Sequence, residues 1–100
     1  MARITKEIAD RMLGEVAPEK QFYCADGKYL KSLTELKVAL EEMSDEIYRY
    51  HSNEIKTDFS NWVRDVIGDA KLSRDLLKSA SRTQAEKNVA NRIAWLQNKT

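Results

Sequence analysis

The sequence contains very few of the residues that build cross-links and metal sites: its only cysteine is Cys24 and its only histidine is His51. A lone cysteine excludes an internal disulfide framework and is typical of a reducing compartment. A zinc site needs three or four ligands, and no ligand spacing is visible around these two residues. We therefore expect no metal or other cofactor, and a cytoplasmic location.

Glycine and long apolar runs are also scarce. Gly14, Gly27 and Gly68 are isolated from one another, which excludes a glycine-rich phosphate-binding loop. No run approaches the roughly 20 apolar residues that a membrane-spanning helix needs, and the first residues lack the apolar core of a signal peptide. Because no catalytic motif is recognisable either, we expect a protein that is not an enzyme and that has no membrane partner.

The composition that remains is that of an ordinary globular protein, with 42% hydrophobic and 33% charged residues in a chain of 100. The net charge is only +1, yet residues 71–100 carry seven basic and two acidic groups, whereas residues 21–70 carry six basic and ten acidic groups. This asymmetry has two readings. The basic tail binds an acidic partner, or it packs beside the acidic middle of its own chain.

The segment 57–68 has the clearest helix pattern in the chain. Its apolar residues fall at i, i+3, i+4, i+7 and i+8, the stripe of an amphipathic helix: Phe59, Trp62, Val63, Val66 and Ile67. Thr57 or Asp58 can cap the start of this helix, and Gly68 suits a left-handed residue at its end. We predict a core helix here.

Residues 22–31 form the one convincing β segment, because Asp26-Gly27 is a strong turn signal. A loop of three residues, 25–27, with Gly27 left-handed, pairs Phe22 with Leu30 and Tyr23 with Tyr29. The apolar residues, with Cys24, then share one face and the tyrosines share the other, whereas a two-residue loop would mix the faces. We prefer the first register. Since a lone hairpin is marginal in water, its apolar face must lie on helices.

Polar capping residues divide the rest of the chain into further helices. Ser32 and Glu35 form a capping box before a helix with Leu33, Leu36, Leu40 and Met43 on one side. Ser44 precedes a short helix that ends near residue 51, and Asp69 can cap a helix whose apolar residues are Leu72, Leu76 and Leu77. Ser81 or Thr83 begins the last helix, with Thr83 and Glu86 as a second capping box and an apolar stripe of Ala85, Val89, Ile93 and Leu96.

These elements predict a mainly α fold with a small β-hairpin: a helix-dominated α+β class in which the hairpin packs on a compact helical bundle. Residues 1–21 should form an N-terminal helix over 5–13 that docks loosely, followed by a linker at Pro18. Residues 22–100 should form the single helical domain. The predicted core consists of Phe22, Leu30, Leu33, Leu36, Leu40, Phe59, Trp62, Val63, Val66, Leu76, Val89 and Ile93.

The run from Phe22 to Leu36 resembles a pattern found in small archaeal and bacterial proteins: an aromatic strand, an Asp-Gly turn and a Ser-Leu-x-x-Leu helix start. His51 and the Asp-Phe-x-x-Trp sequence of residues 58–62 continue that pattern. It is similar to an uncharacterised prokaryotic domain family of unknown function and covers about residues 22–76. The resemblance implies a fold and a prokaryotic, mainly archaeal, setting, but no activity.

His51 is the strongest candidate for chemistry. With Asp58 or Glu54 beside it, it could act as a general base, but no nucleophile is placed next to it. The alternative is a structural histidine that bonds backbone at a helix junction while its ring packs on Phe59 or Trp62. Tyr48, nearby, is either a stacking residue on an interaction surface or a residue that packs at the rim of the core.

Four basic residues of the tail recur at i, i+3, i+7 and i+11, and we call them the basic stripe: Lys71, Arg74, Lys78 and Arg82. The stripe either binds phosphates or is the solvated face of a helix. The sequence pI near 7.8 is below that of a dedicated nucleic-acid binder. We therefore expect a non-enzymatic interaction or regulatory module that binds a protein partner or forms a homo-oligomer. Nucleic-acid or ribosome binding through the basic C-terminal helices is the alternative.

Overall fold

The computed structural model describes residues 3–100 and confirms the predicted helix-dominated α+β class. In chain order the elements are α1 (Lys6–Leu13), β1 (Phe22–Tyr23), β2 (Tyr29–Leu30), α2 (Leu33–Glu42), α3 (Asp45–His51), α4 (Asp58–Trp62), α5 (Ala70–Lys78) and α6 (Arg82–Gln97). A 3₁₀ turn, Pro18–Lys20, precedes β1, and a π-helical turn, Val63–Ile67, extends α4. None of these helices is long and apolar enough to cross a membrane.

The hairpin has the predicted register. Phe22 pairs with Leu30 and Tyr23 with Tyr29, and Gly27 closes the three-residue loop at φ +94°. The face carrying Cys24 is buried against the helices, and both tyrosines are exposed. The short strands are therefore stabilised by burial of one apolar face, as a two-stranded sheet requires.

The core is built mainly on α6, which packs against α2, α1 and α5. All predicted core residues are buried except Val66, which is half-buried. Leu77, which the predicted core does not include, is 55% exposed. The inward side of α5 instead passes through Ser73, whose hydroxyl donates to the Ser60 carbonyl at 3.0 Å.

The N-terminal helix belongs to the same core as the other helices. Ala9 and Met12 are buried in it, and Thr5 and Gly14 bound the helix as predicted. The segment that follows is tied to the domain at both ends. Val16 N–H donates to the Lys31 carbonyl at 2.8 Å, and the Trp62 indole donates to a carbonyl in the 3₁₀ turn.

Several helix ends differ in detail from the prediction. Glu35 accepts a hydrogen bond from Lys31 N–H rather than from the cap residue itself, although the Ser32 hydroxyl caps α2 as expected. Ser81 caps α6, so the predicted capping box at Thr83 and Glu86 is wrong. The partner three residues after Ser81 is a glutamine, and its carboxamide accepts from the backbone of residue 80. At the start of both α2 and α6, the side chain three residues after the capping serine thus accepts from the N–H of the residue that precedes this serine.

The helix over 58–67 is interrupted by the π-helical turn. The Val63 carbonyl accepts from the N–H groups of both Gly68 (2.8 Å) and Asp69 (3.1 Å), five and six residues ahead. Gly68 adopts φ +84°, the left-handed end predicted for it. At the other end, Thr57 holds the cap position, but its hydroxyl donates to Asn61 Oδ1 at 3.5 Å instead of accepting from a backbone N–H of the first turn. Val66 lies within this widened turn, where it is half-buried and packs against the edge of the core.

Candidate functional site

His51 lies where the hairpin, α3 and α4 meet. Its Nε2 accepts a hydrogen bond from Ala25 N–H at 3.0 Å, and its Nδ1 lies 2.9 Å from Asp58 Oδ2. Because a backbone N–H can only donate, Nε2 is the unprotonated nitrogen and Nδ1 carries the proton that is donated to Asp58. This network assigns a neutral imidazole, with both ring nitrogens engaged and neither free to act as a general base.

The ring of His51 is buried and packs against two aromatic rings. It is 4% exposed and lies against Phe22 and Phe59, with ring centroids 5.0 and 5.2 Å away. Asp58, one of the two carboxylates considered for this role, supports the ring from a half-buried position and also lies 3.3 Å from Lys56 Nζ. The arrangement matches a structural histidine that bonds backbone at a helix junction.

Cys24 precedes Ala25, whose N–H donates to His51, but the Cys24 thiol is fully buried. Burial raises the pKa of the Cys24 thiol, and a backbone hydrogen bond from Asp26 lowers it only in part. The sulfur therefore stays protonated at neutral pH and does not have the thiolate character of a nucleophile.

Tyr48 does not lie on the surface. It is 8% exposed, with its ring stacked on Phe59 at a centroid distance of 5.8 Å. Two residues later, Tyr50 is 59% exposed, because a shift of two positions on a helix turns the side chain to the opposite side. Lys56 Nζ lies 4.0 Å above the centre of the Tyr50 ring. Of the two tyrosines of α3, Tyr50 is thus the one available to a partner.

The outer face of the hairpin adds two more exposed aromatic rings. Tyr23 and Tyr29 are 60% and 59% exposed, and their ring centroids are 5.1 Å apart. The Ala25–His51 hydrogen bond joins the hairpin loop to the end of α3, the helix that carries Tyr50. The three exposed tyrosines therefore belong to two segments that this part-buried hydrogen bond joins.

The loop between α3 and α4 presents a further apolar side chain. Asn53 Oδ1 accepts hydrogen bonds from the N–H groups of Ile55 (2.8 Å) and Lys56 (3.0 Å). A β-bridge between Ser52 and Thr57 closes the loop at its base. Ile55 stands at its tip and is 94% exposed. We call the four exposed residues of these neighbouring segments the hairpin surface: Tyr23, Tyr29, Tyr50 and Ile55.

The structure divides the basic stripe into two pairs of residues. Lys71 forms an ion pair with Asp75 at 2.7 Å. Arg82 donates to the carbonyl of Leu40 at 2.7 Å and to Asp45 Oδ1 at 2.9 Å, so it caps the end of α2. The other two members, Arg74 and Lys78, are exposed and make no ion pair with any residue from 3 to 100. Two of the four cations thus have a role within the fold.

The structure contains a buried ion pair that the sequence analysis did not predict. Arg92 Nε and Nη2 donate to Asp69 at 2.7 and 3.0 Å, and the two side chains are 8% and 1% exposed. The Arg92 guanidinium also lies 4.4 Å from the centre of the Trp95 ring. A signal was present, because Arg92 falls within the apolar stripe of α6, three residues after Val89. A charge at an inward position predicts a buried partner.

No family model matches this chain, and neither the curated proteins nor the solved structures that were searched contain a match. The resemblance to a prokaryotic domain family therefore stays a prediction, and the function has to follow from the surfaces described above.

Proposed function

We propose that this protein is a non-enzymatic interaction module that binds a protein partner, or a second copy of itself, through the hairpin surface. The observation that carries the proposal is the exposure of Tyr23, Tyr29, Tyr50 and Ile55, each at least 59% exposed. Tyr23 and Tyr29 lie in contact, and the Ala25–His51 hydrogen bond joins their hairpin to the end of α3. Tyrosine is enriched at protein interfaces because its ring supplies apolar area and its hydroxyl remains satisfied at a wet rim. The single cysteine and the prokaryotic resemblance support a cytoplasmic, archaeal or bacterial setting.

The hairpin surface is also held in place before any partner arrives. The hairpin is fixed from beneath by the contact of Phe22 with His51 and Phe59, and Asn53 fixes the loop that carries Ile55. Binding therefore has little backbone to order, which reduces the entropy that association must overcome.

Affinity purification from the native host, with and without nuclease, tests the proposal together with sedimentation of the pure protein. We expect a nuclease-resistant protein partner or a defined oligomer. Replacing the three exposed tyrosines by serine, in Tyr23→Ser/Tyr29→Ser/Tyr50→Ser, should abolish that association. The matched control is Leu77→Ser, which removes an exposed apolar side chain from α5 and should leave the association unchanged. Association that survives the tyrosine changes in a folded protein contradicts the proposal.

Nucleic-acid binding is the second candidate, favoured by the exposed cations Arg74 and Lys78 on α5, which form no ion pair within residues 3–100. Two phosphate contacts predict a slope of log affinity against log salt of about −2. Arg74→Glu/Lys78→Glu should then abolish RNA binding without disturbing the fold, whereas changing Arg82 would also remove the cap of α2. A titration with no binding tighter than the non-specific range of about 10⁻⁴–10⁻⁶ M at physiological salt argues against this candidate.

A further inference from the structure

A cleft of about 380 Å³ opens between α1, the segment that follows it and the π-helical turn. Its apolar wall comes from all three elements: Met12, Val16, Ala17, Val66 and Ile67. The volume lies within the range of small-molecule sites, which are apolar clefts with a few placed polar groups. We call it the N-terminal cleft.

Hydrogen bonds tie two residues that line the cleft to the rest of the fold. The Trp62 indole nitrogen donates to the Lys20 carbonyl at 2.8 Å, and Val16 N–H donates to the Lys31 carbonyl at 2.8 Å. The segment between α1 and β1 is therefore held at both ends and cannot simply collapse onto the π-helical turn. This makes the cleft a preformed feature of the fold.

The π-helical turn provides a second, independent reason to consider a site here. An uninterrupted α-helix would place Val66 in the core stripe, whereas the widened turn leaves it half-buried on the wall of the cleft. Single π-helical turns occur frequently at functional sites. Val66 thus packs against the core and also lines the cleft, where an apolar ligand can bury the rest of its side chain.

The charges at the cleft decide the chemistry of the ligand. Arg11 and Lys20 contribute two cations and Glu15 one carboxylate, a local charge of +1. Neither cation forms an ion pair within residues 3–100. A guanidinium matches the two oxygens of a carboxylate, and Glu15 opposes a second negative charge. The combination favours a monoanion with an apolar body.

We propose that the N-terminal cleft binds a small organic carboxylate of the medium-chain fatty-acid type, with its carboxylate at Arg11 and Lys20 and its chain against Val66 and Ile67. This site is independent of the hairpin surface. Changes in the cleft should leave partner binding intact, so the two proposals can fail separately.

Titration of the full chain with octanoate below its micellar concentration, followed by ¹H–¹⁵N correlation spectra, tests the site. We expect saturable shifts at the amides of Ala17, Val66 and Gly68. The affinity of Arg11→Glu/Lys20→Glu for octanoate should be at least about tenfold lower than that of wild type, as expected when charge-assisted hydrogen bonds are lost. The matched control, Arg74→Glu/Lys78→Glu, makes the same charge change on α5 and should bind as wild type does.

Ala17→Trp provides a variant that does not alter charge. Residue 17 is exposed at the cleft, so a tryptophan there should fill the cleft and abolish binding while the protein stays folded. Three results would overturn the proposal: no saturable shifts with octanoate, equal binding of octyltrimethylammonium, or equal weakening in the α5 control. Octanoate affinity unchanged in folded Ala17→Trp would overturn it as well.

Discussion

At the scale of the residue, one imidazole connects three segments. Replacing His51, which is 4% exposed, by leucine leaves Ala25 N–H without an acceptor. It also removes one partner of the half-buried Asp58, which keeps Lys56. Loss of these partners should lower the free energy of unfolding by about 2–3 kcal/mol. His51→Gln, which keeps an acceptor and a donor, should cost less. Urea unfolding measures both values, and partner binding should persist in each folded variant.

Loss of partner binding in a folded His51→Gln protein, at unchanged stability, would contradict this reading of His51. The histidine would then act at the interface rather than support it.

The ion pair of Asp69 and Arg92 gives a larger effect. Asp69→Asn retains a residue that can cap α5 but leaves a buried guanidinium without its counter-charge, which should destabilise the protein by about 3–5 kcal/mol. Removing both charges, in Asp69→Asn/Arg92→Met, should cost clearly less than the sum of the single changes. A double-mutant cycle by chemical denaturation measures the coupling. Additive effects would show that the two charges act independently.

The buried thiol of Cys24 should make the free energy of unfolding decrease as the pH rises into the alkaline range. Burial raises the pKa of its thiol in the folded protein, so the folded state holds this proton more tightly than the unfolded chain does. As pH rises through about 8.5, the ordinary cysteine pKa, the unfolded chain loses the proton first and stability falls. The slope is at most about 1.4 kcal/mol per pH unit for one group.

The variant Cys24→Ala isolates this term from the titration of tyrosines and lysines. Its stability should fall less steeply than that of wild type between about pH 8.5 and 10. Parallel curves for the two proteins, measured by urea unfolding across that range, would show that the thiol ionises equally in both states.

At the scale of the element, the π-helical turn depends on the residue that ends it. Gly68 adopts φ +84°, where a Cβ atom costs about 1–2 kcal/mol. Gly68→Ala should therefore destabilise the protein by that amount, as seen in thermal or urea unfolding. Gly14→Ala is the matched control, since Gly14 ends α1 with extended backbone angles and its added Cβ would meet only ordinary contacts. Equal effects at both glycines would contradict this argument.

Local signals explain which elements could be predicted. The hairpin register follows from Asp26-Gly27 and the alternation around it, and the end of the fourth helix follows from Gly68. Ser32, Ser44 and Asp69 each cap the helix predicted to begin after them. In every one of these cases the decisive residues lie within a few positions of the element that they specify.

The features that could not be predicted depend on contacts across the chain. The π-helical turn has no distinct periodicity, because its stripe reads as an ordinary α-helix. Arg82 looks like a member of a solvated stripe until α2 is placed beside it, 41 residues away in sequence at Glu41. For the two tyrosines of α3, composition does not tell the exposed residue from the buried one, and only the packing separates Tyr48 from Tyr50.

At the scale of the whole molecule, two surfaces and one cleft are supported by a single core. The Trp62 indole reaches back 42 residues to the segment that forms the N-terminal cleft. The rings that support the hairpin surface, Phe22 and Phe59, belong to the same buried cluster as Trp62. A large loss of packing in that cluster should therefore affect both places, whereas changes at their exposed residues should act locally.

The position of α1 tests whether this core is one cooperative unit. Ala9 is fully buried and Met12 is 6% exposed, both in the core shared with α6. Residues 3–21 should therefore unfold together with the rest of the described chain. In native-state hydrogen exchange, the most protected amides of α1 and α6 should open with free energies that agree within about 1 kcal/mol.

The corresponding mutation is Ala9→Asp, which places an unpaired carboxylate in that core and should destabilise the whole domain by several kcal/mol. Lys6→Asp, an exposed change on the same helix, is the control and should stay within about 1 kcal/mol of wild type. If α1 amides exchange freely while α6 remains protected, and Ala9→Asp leaves α6 protection unchanged, then α1 is a separately docked element. In that case the N-terminal cleft would exist only while the helix is docked, and ligand binding there would be coupled to its attachment.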